Sequence, residues 1–156
     1  MKRPPPTLDC AQVIEFAITD ESVKFEQRYT LNVGGEWLGE VPNLAICKNL
    51  DESKYMVFHC NADWEVLGVA AGYVSAQEAR EKVERSYHGL KGKWIPSEYT
   101  REEAEKYVRE RFKNERCSFC GRIPPEFQMV IGEDVRICNH CVDSFYQIMH
   151  ESNEDT

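Results

Sequence analysis

The chain has 156 residues, of which 42% are hydrophobic and 29% charged, and its net charge is −8. This length predicts one domain plus a small satellite, and the apolar content allows a core in the first hundred or so residues. No stretch approaches the ~18–20 uninterrupted apolar residues of a membrane span, so the composition argues against a membrane protein.

The chain begins with two positively charged residues, Lys2 and Arg3. Three prolines and Asp9 follow, where a signal peptide would have an apolar core. We therefore expect a cytoplasmic protein, in which thiols stay reduced. The chain has seven cysteines, an odd number. For Cys10, Cys47 and Cys60 we expect roles as small buried hydrophobic side chains and not as ligands or nucleophiles.

Residues 12–95 are predicted to form a strand-rich unit. Partial alternation of β-branched and aromatic residues predicts strands over 12–18 and 24–33, and Gly34-Gly35 marks the turn that ends the second. A short apolar run after Pro42 predicts another strand over 43–47.

The clearest hairpin in the sequence joins residues 55–60 to residues 64–73 through a turn at 61–63. Two glycines, Gly68 and Gly72, lie inside its second arm. They indicate a bulge or a close approach of another part of the backbone.

Two capping boxes predict two helices. Ser75-Ala-Gln-Glu78 begins a helix whose buried face carries residues at four-residue spacing, namely Ala79, Val83 and Tyr87, and His88-Gly89 is its expected end. A short returning strand is predicted at 93–95. Thr100-Arg-Glu-Glu103 begins the second helix, which runs almost directly into the cysteine-rich end of the chain. These elements predict an α+β fold: an antiparallel sheet with helices on one face.

Four of the cysteines form two C-x-x-C pairs, Cys117-Ser-Phe-Cys120 and Cys138-Asn-His-Cys141, with 17 residues between them. Each pair places two sulfurs on one side of a tight turn, and this spacing is typical of a zinc site. Four thiolates complete the tetrahedral shell, so one structural Zn²⁺ per chain is predicted, with no position open for catalysis. Disulfides or an iron centre are the alternatives, because they use the same side chains.

The residues around these cysteines predict a treble clef. Gly121 follows the first pair, and a hairpin is expected from the apolar runs 127–131 and 135–137 around a Gly-Glu-Asp turn. After Cys141, apolar residues recur at helical spacing at Val142, Phe145, Tyr146, Ile148 and Met149.

This arrangement resembles a known family. Cys117-Ser-Phe-Cys120-Gly121 and Val135-Arg-Ile-Cys138-Asn-His-Cys141-Val142 look like the N-terminal zinc-binding domain of the ClpX unfoldase, over about residues 115–151. The resemblance implies a treble clef that dimerises and recruits substrates or adaptors. The unfoldase's ATPase is not expected here, because no G-x-x-x-x-G-K-[ST] motif occurs. The domain prediction is therefore 1–112 (α+β), 113–151 (zinc module) and 152–156 (acidic tail).

The apolar stripe of the last helix is the predicted partner-binding surface, formed by Phe145, Tyr146, Ile148 and Met149. Val142, Phe145 and Met149 are expected to face the zinc and the hairpin, which leaves Tyr146 and Ile148 near the surface. An exposed patch of this kind would support a homodimer or a protein partner. The alternative is that the stripe packs on the helix of residues 100–112.

Charge argues against nucleic acid as the partner. Residues 113–156 contain 4 Lys and Arg against 8 Asp and Glu, and four thiolates around one Zn²⁺ add about two negative charges more. A phosphate backbone would be repelled. No nucleophile–base pair is recognisable, since neighbouring residues His59 and Cys60 in a strand point to opposite faces. We expect no enzymatic activity and no catalytic residues.

Two functional hypotheses of different classes remain, with nucleic-acid regulation as a third. The first is a protein-interaction module whose structural zinc finger recruits a partner, such as an adaptor or substrate-presenting factor for a Clp-type machine. The second is a cytoplasmic immunity or antitoxin-like inhibitor, because an acidic surface would suit binding to a basic toxin.

Overall fold

A computed structural model of the chain describes residues 2–28, 31–50, 53–112, 115–122 and 128–154. The chain divides into two compact units, Met1–Tyr107 and Val108–Thr156. None of the helices in the described ranges is long and apolar enough to cross a membrane.

The helices and strands follow one another as β1 (Thr7–Leu8), β2 (Ala11–Ile18), β3 (Lys24–Phe25), β4 (Asn32–Val33), β5 (Glu36–Trp37), β6 (Asn43–Asn49), β7 (Tyr55–Cys60), β8 (Val66–Tyr73), α1 (Ala76–Glu84), β9 (Tyr87–His88), β10 (Ile95–Pro96), α2 (Arg101–Arg111), β11 (Met129–Ile131), β12 (Arg136–Cys138) and α3 (Asn139–Glu154). This is the α+β fold that the sequence predicts.

A curled antiparallel sheet organises the N-terminal unit, with strand order β1-β2-β6-β7-β8. β1 pairs with the first residues of β2, and β10 pairs with Glu15 and Phe16 further along that strand. The central strand β6 pairs with β2 along one edge and β7 along the other. Its residues Asn43–Cys47 are all buried, because both faces of the sheet are covered. A strand buried on both faces reads as a continuous apolar run and not as an alternating one.

Each face of the sheet has its own core. One core packs Leu44, Ile46 and Val57 of the sheet against Ala79 and Val83 of α1. The other core lies on the opposite face and contains the alternate residues of the same strands, among them Phe16, Ala45, Cys47, Phe58 and Trp64. The rings of Phe16 and Trp64 meet edge to face, with centroids 5.6 Å apart. Period-two alternation thus divides one set of strands between two cores.

The two glycines of β8 lie where the strand is irregular or closely packed. The pairing of β8 with β7 changes register at two positions, because Leu67 and Gly72 have no partner residue in β7. Gly72 has φ 93°, which only glycine adopts readily. At Gly68, a Cβ atom would lie 2.7 Å from Cδ2 of Leu31. The predicted bulge is therefore confirmed, whereas the group that approaches Gly68 is the side chain of Leu31 and not another part of the backbone.

Helix α1 begins at the predicted cap. The N–H of Glu78 donates to Oγ of Ser75 over 3.0 Å. The carboxylate of Glu78 accepts from the N–H of Val74, at 2.8 Å, and not from that of Ser75. The second capping box is reciprocal: Thr100 and Glu103 each bond the other's backbone N–H through their side chains. Both boxes thus satisfy N–H groups that the first helical turn leaves without partners.

Two local predictions are wrong. Residues 24–33 do not form one strand: β3 pairs with β9, whereas β4 pairs with β5 across the Gly34-Gly35 turn. Tyr87 is buried as predicted but belongs to β9, because α1 ends at Glu84. Its hydroxyl accepts the N–H of Val41 at 3.0 Å, and burial raises its pKa to about 12.

His59 and Cys60 point to opposite faces of β7, as the sequence predicts. Cys60 belongs to the core that contains Phe58, and His59 lies on the face of Val57. His59 is buried, and its Nδ1 has no hydrogen-bond partner among the described residues. Burial lowers the pKa of His59 from 6.5 to about 4, because the charged imidazolium loses its hydration.

The N-terminal unit should therefore lose stability as the pH falls below 6.5. Between pH 6.5 and about 4 the unfolded chain binds a proton at His59 that the folded chain does not. The loss should reach on the order of 3 kcal/mol near pH 4. His59→Gln should remove most of this pH dependence, measured by urea denaturation at pH 7 and pH 4.5. His88→Gln is the matched control, because His88 is exposed; an equal effect of both variants would contradict the prediction.

Candidate metal centre

A short hairpin separates the two cysteine pairs. β11 and β12 pair in antiparallel register, Met129 opposite Cys138 and Ile131 opposite Arg136. The N–H of Gly132 donates to the carbonyl of Val135 at 2.7 Å and closes the turn. The predicted hairpin is confirmed over these residues, and the predicted start at Phe127 lies outside the described ranges.

Each cysteine pair forms a tight turn. In the first, the N–H of Gly121 donates to the carbonyl of Cys117 at 3.0 Å, and Gly121 has φ 78°. In the second, Cys138 ends β12 and Cys141 is the third residue of α3. The N–H of Ser118 donates to the carbonyl of Arg136 at 2.7 Å, which ties the first turn to the hairpin. The order of turn, hairpin, turn and helix is that of a treble clef.

The four sulfurs converge on one point. All four lie within 4.8 Å of one another, with Cys117 and Cys141 separated by 3.8 Å and Cys120 and Cys138 by 3.6 Å. Sulfurs held at ~2.3 Å from a tetrahedral zinc lie about 3.8 Å apart, so the separations fit that ion. They are far too long for the ~2.05 Å bond of a disulfide. The four cysteines form one metal-binding site, consistent with a single structural Zn²⁺.

Backbone N–H groups prepare these sulfurs for a cation. Burial opposes ionisation of Cys117, but N–H donors from Cys120, Cys138 and Phe119 outweigh it and lower its pKa to about 6. Cys141 differs, since burial and the neighbouring sulfurs raise its pKa to about 12. Without a cation, four thiolates this close repel one another. Bound Zn²⁺ replaces the protons and removes that repulsion.

Arg122 also contributes to the metal centre, and the sequence pattern did not predict this. Its backbone N–H and then its guanidinium lower the pKa of Cys120. The guanidinium also reaches Cys138, and these contacts raise the pKa of Arg122 itself. Cys120 is the exposed member of the four, so a cation beside it offsets part of the site's excess negative charge. The sequence feature that could have indicated this role is an arginine two residues after a C-x-x-C pair.

The other cysteines are not among the four that converge. Cys47 and Cys60 are buried in the sheet, as predicted, and burial raises the pKa of the Cys60 thiol to about 12. Cys10 is half-buried. His140 is exposed between two ligands and is not among the four converging side chains.

The residues predicted to bind a partner are exposed on α3. The exposed fraction is 38% for Phe145, 59% for Ile148, 63% for Tyr146 and 69% for Met149. The expectation that Met149 faces the hairpin is wrong, because a short hairpin covers only the first turns of a 16-residue helix. Phe145 instead packs edge to face on Phe119, with ring centroids 5.1 Å apart. Phe119 is itself 58% exposed and extends the apolar surface to the first cysteine turn.

Comparison with known protein families finds a match in this segment. Residues 115–151, which are 37 of the 156, match the family model of the ClpX C4-type zinc finger. No curated protein and no solved structure is significantly similar to the chain. The match contains all four converging cysteines and the apolar residues of α3 through Met149.

Cys120→Ser should abolish stoichiometric zinc binding. A structural zinc contributes ~10–16 kcal/mol of apparent binding energy in isolated fingers, so loss of one ligand should unfold the finger. Metal analysis should find one zinc per wild-type chain and well under one in the variant. Cys10→Ser is the control and should keep its zinc. Signals of residues 12–95 should persist in the NMR spectrum of Cys120→Ser; their collapse would contradict independent folding of the sheet.

Arg122→Gln should weaken zinc binding by about 10–100-fold, the usual effect of removing a group that supports a metal ligand. The reason is that the thiolate of Cys120 loses its neighbouring cation. Competition with a chromophoric chelator at pH 7 measures the affinity. Arg136→Gln, which removes the arginine at the start of β12, is the matched control. Equal affinities for Arg122→Gln and wild type would show that the guanidinium does not support the site.

Proposed function

We propose that this chain is a non-enzymatic protein-interaction module in which the zinc finger recruits a protein partner. The observation that carries the proposal is the apolar surface of the finger. Phe119, Phe145, Tyr146, Ile148 and Met149 are each at least 38% exposed. Large apolar side chains grouped in this way commonly mark an interaction site.

This surface is concentrated in the C-terminal unit. Among the described residues, thirteen large hydrophobic side chains are exposed, and nine of them lie between Phe119 and Met149. The metal centre explains the concentration: the buried residues of the finger's core are Cys117, Cys138 and Cys141, with Met129 and Ile137 packed against them. A unit organised around a metal needs few apolar side chains inside, so those on α3 are available to a partner.

A cleft in the finger gives a partner side chain a place to bind. The cleft has a volume of about 520 Å³ and lies between β11 and the first turns of α3. Met129, Val130 and Val142 give it apolar walls, and Asn139 and Asp143 place polar groups at its rim. An apolar side chain of a partner could enter such a cleft, while the rim groups form hydrogen bonds.

The family match supports one class of partner over others. The finger resembles the ClpX zinc-binding domain, so a component of a Clp-type machine, or a second copy of this chain, is the partner that we propose. The role would be that of an adaptor or substrate-presenting factor. Four cysteines fill the metal shell, which supports a structural role for the zinc and not a catalytic one. The net charge of residues 113–156, 4 positive against 8 negative side chains, supports a protein partner over nucleic acid.

Tyr146→Glu should disrupt the interaction, because it places a charge in the centre of the apolar surface. Light scattering at micromolar concentration should show a dimer for the wild type and a monomer for the variant. Interferometry against a purified Clp-type unfoldase should show at least a tenfold loss of affinity. Gln147→Glu adds the same charge to an adjacent exposed position of α3 and is the matched control.

Two results would contradict the proposal. One is that the wild type is a monomer, binds no Clp component, and gives the same light-scattering and interferometry results as Tyr146→Glu. The other is submicromolar binding to mixed DNA or RNA in 150 mM salt that weakens steeply with added salt, which would favour a nucleic-acid regulator. Zinc content measured on each variant shows that the finger is still folded.

A further inference from the structure

A basic cleft lies in the N-terminal unit, far along the sequence from the zinc finger. It has a volume of about 470 Å³ and is lined by Arg28, Lys82, Arg85 and His88. Every lining side chain is cationic or can become so, in a chain whose net charge is −8. Clefts of ~300–1,000 Å³ are the usual size of small-molecule sites.

Three separate segments bring these side chains together. α1 supplies Lys82 in its last turn and Arg85 at its C-cap, which are neighbours at i, i+3 spacing. β9 supplies His88, which lies opposite Lys24 of β3. The N–H of Glu26 donates to the carbonyl of Ser86 at 2.8 Å and continues that pairing toward Arg28. The cationic lining is therefore a product of tertiary structure.

The carboxylates near the cleft leave two of its cations without a partner. Glu26 accepts from both Arg28, at 3.0 Å, and His88, at 2.9 Å. On α1, Glu81 bonds to Gln77 and Glu84 bonds to the indole N–H of Trp94. Within the described ranges, no ion pair or hydrogen bond occupies the side chains of Lys82 and Arg85.

The lining of the cleft favours an anion with more than one charge. Arg28, Lys82 and Arg85 contribute three positive charges to it, and no carboxylate is among the lining residues. The negative end of the helix dipole accounts for cations at Lys82 and Arg85. It does not account for Arg28 and His88, which other segments bring to the same cleft. A phosphomonoester carries about −1.5 to −2 at pH 7 and accepts hydrogen bonds on three oxygens.

We propose that this cleft binds the phosphate group of a small phosphomonoester. The guanidinium of Arg85 offers the two-pronged donor geometry that phosphate oxygens accept. Lys82 adds a point charge on the same helix turn, and Arg28 and His88, which both pair with Glu26, line the same cleft. All four lining residues belong to the N-terminal unit.

Calorimetric titration of the zinc-loaded full chain tests the proposal, with phenyl phosphate and inorganic phosphate as ligands. Saturable binding is expected for both. Phenyl sulfate has the same ring with one charge fewer and should bind at least about fivefold more weakly. Lys82→Gln and Arg85→Gln should each weaken phenyl phosphate binding about tenfold, since each removes a charged hydrogen-bond donor. Lys91→Gln removes one exposed charge outside the cleft and should bind as the wild type does.

Amide shifts in NMR spectra locate the ligand, and those of Lys82, Arg85 and His88 should move on titration with phenyl phosphate. Absence of saturable binding, or equal affinity for phenyl sulfate, would overturn the proposal. So would an equal loss in Lys91→Gln, because the effect would then reflect net charge alone. An oligonucleotide that competes at lower concentration than phenyl phosphate would identify a phosphodiester site instead.

Discussion

Four thiolates within 4.8 Å of one another cannot remain charged without a cation among them, and the whole C-terminal unit depends on this constraint. A segment of about forty residues seldom buries enough apolar surface to fold alone. Here three buried cysteines take the place of a hydrophobic core. The N–H donors aimed at the sulfurs, the Gly121 turn and the hairpin are all arranged around the position of the ion.

Organisation around a metal also explains why the finger presents its apolar side chains outward. In the sheet unit, residues such as Leu44, Ile46 and Phe58 are at most 3% exposed because two cores need them. In the finger, the zinc performs that task, and Tyr146 and Met149 remain more than 60% exposed. Structure and proposed function thus share one physical origin: the side chains that the metal replaces as core are those that we assign to the partner surface.

Charge is distributed unevenly over the chain. Its net value is −8, yet Arg28, Lys82, Arg85 and His88 line one cleft. Glu26 pairs with Arg28 and His88 there. The overall charge predicts repulsion of nucleic acid, but it says nothing about a local site. Two sites of different chemistry are therefore proposed on one chain: an apolar surface beside a zinc centre, and an anion-binding cleft beside a helix C-terminus.

The sequence by itself determined the metal centre, since the ligands lie in two local turns whose geometry is set by C-x-x-C spacing. It also determined the Ser75 cap, the capping box at Thr100 and the hairpin of β7 and β8, for the same reason: their interactions join residues close along the chain.

Tertiary structure decided what depends on distant residues. The strand predicted over 24–33 is broken because β3 pairs with β9, some sixty residues away. Tyr87, which the sequence places in a helix, belongs to β9 because of that same pairing. Arg122 approaches Cys138 only because the hairpin folds back, and the cationic cleft unites segments that no sequence period relates. Contacts of this kind follow from the packing of whole elements, which local propensity and spacing do not encode.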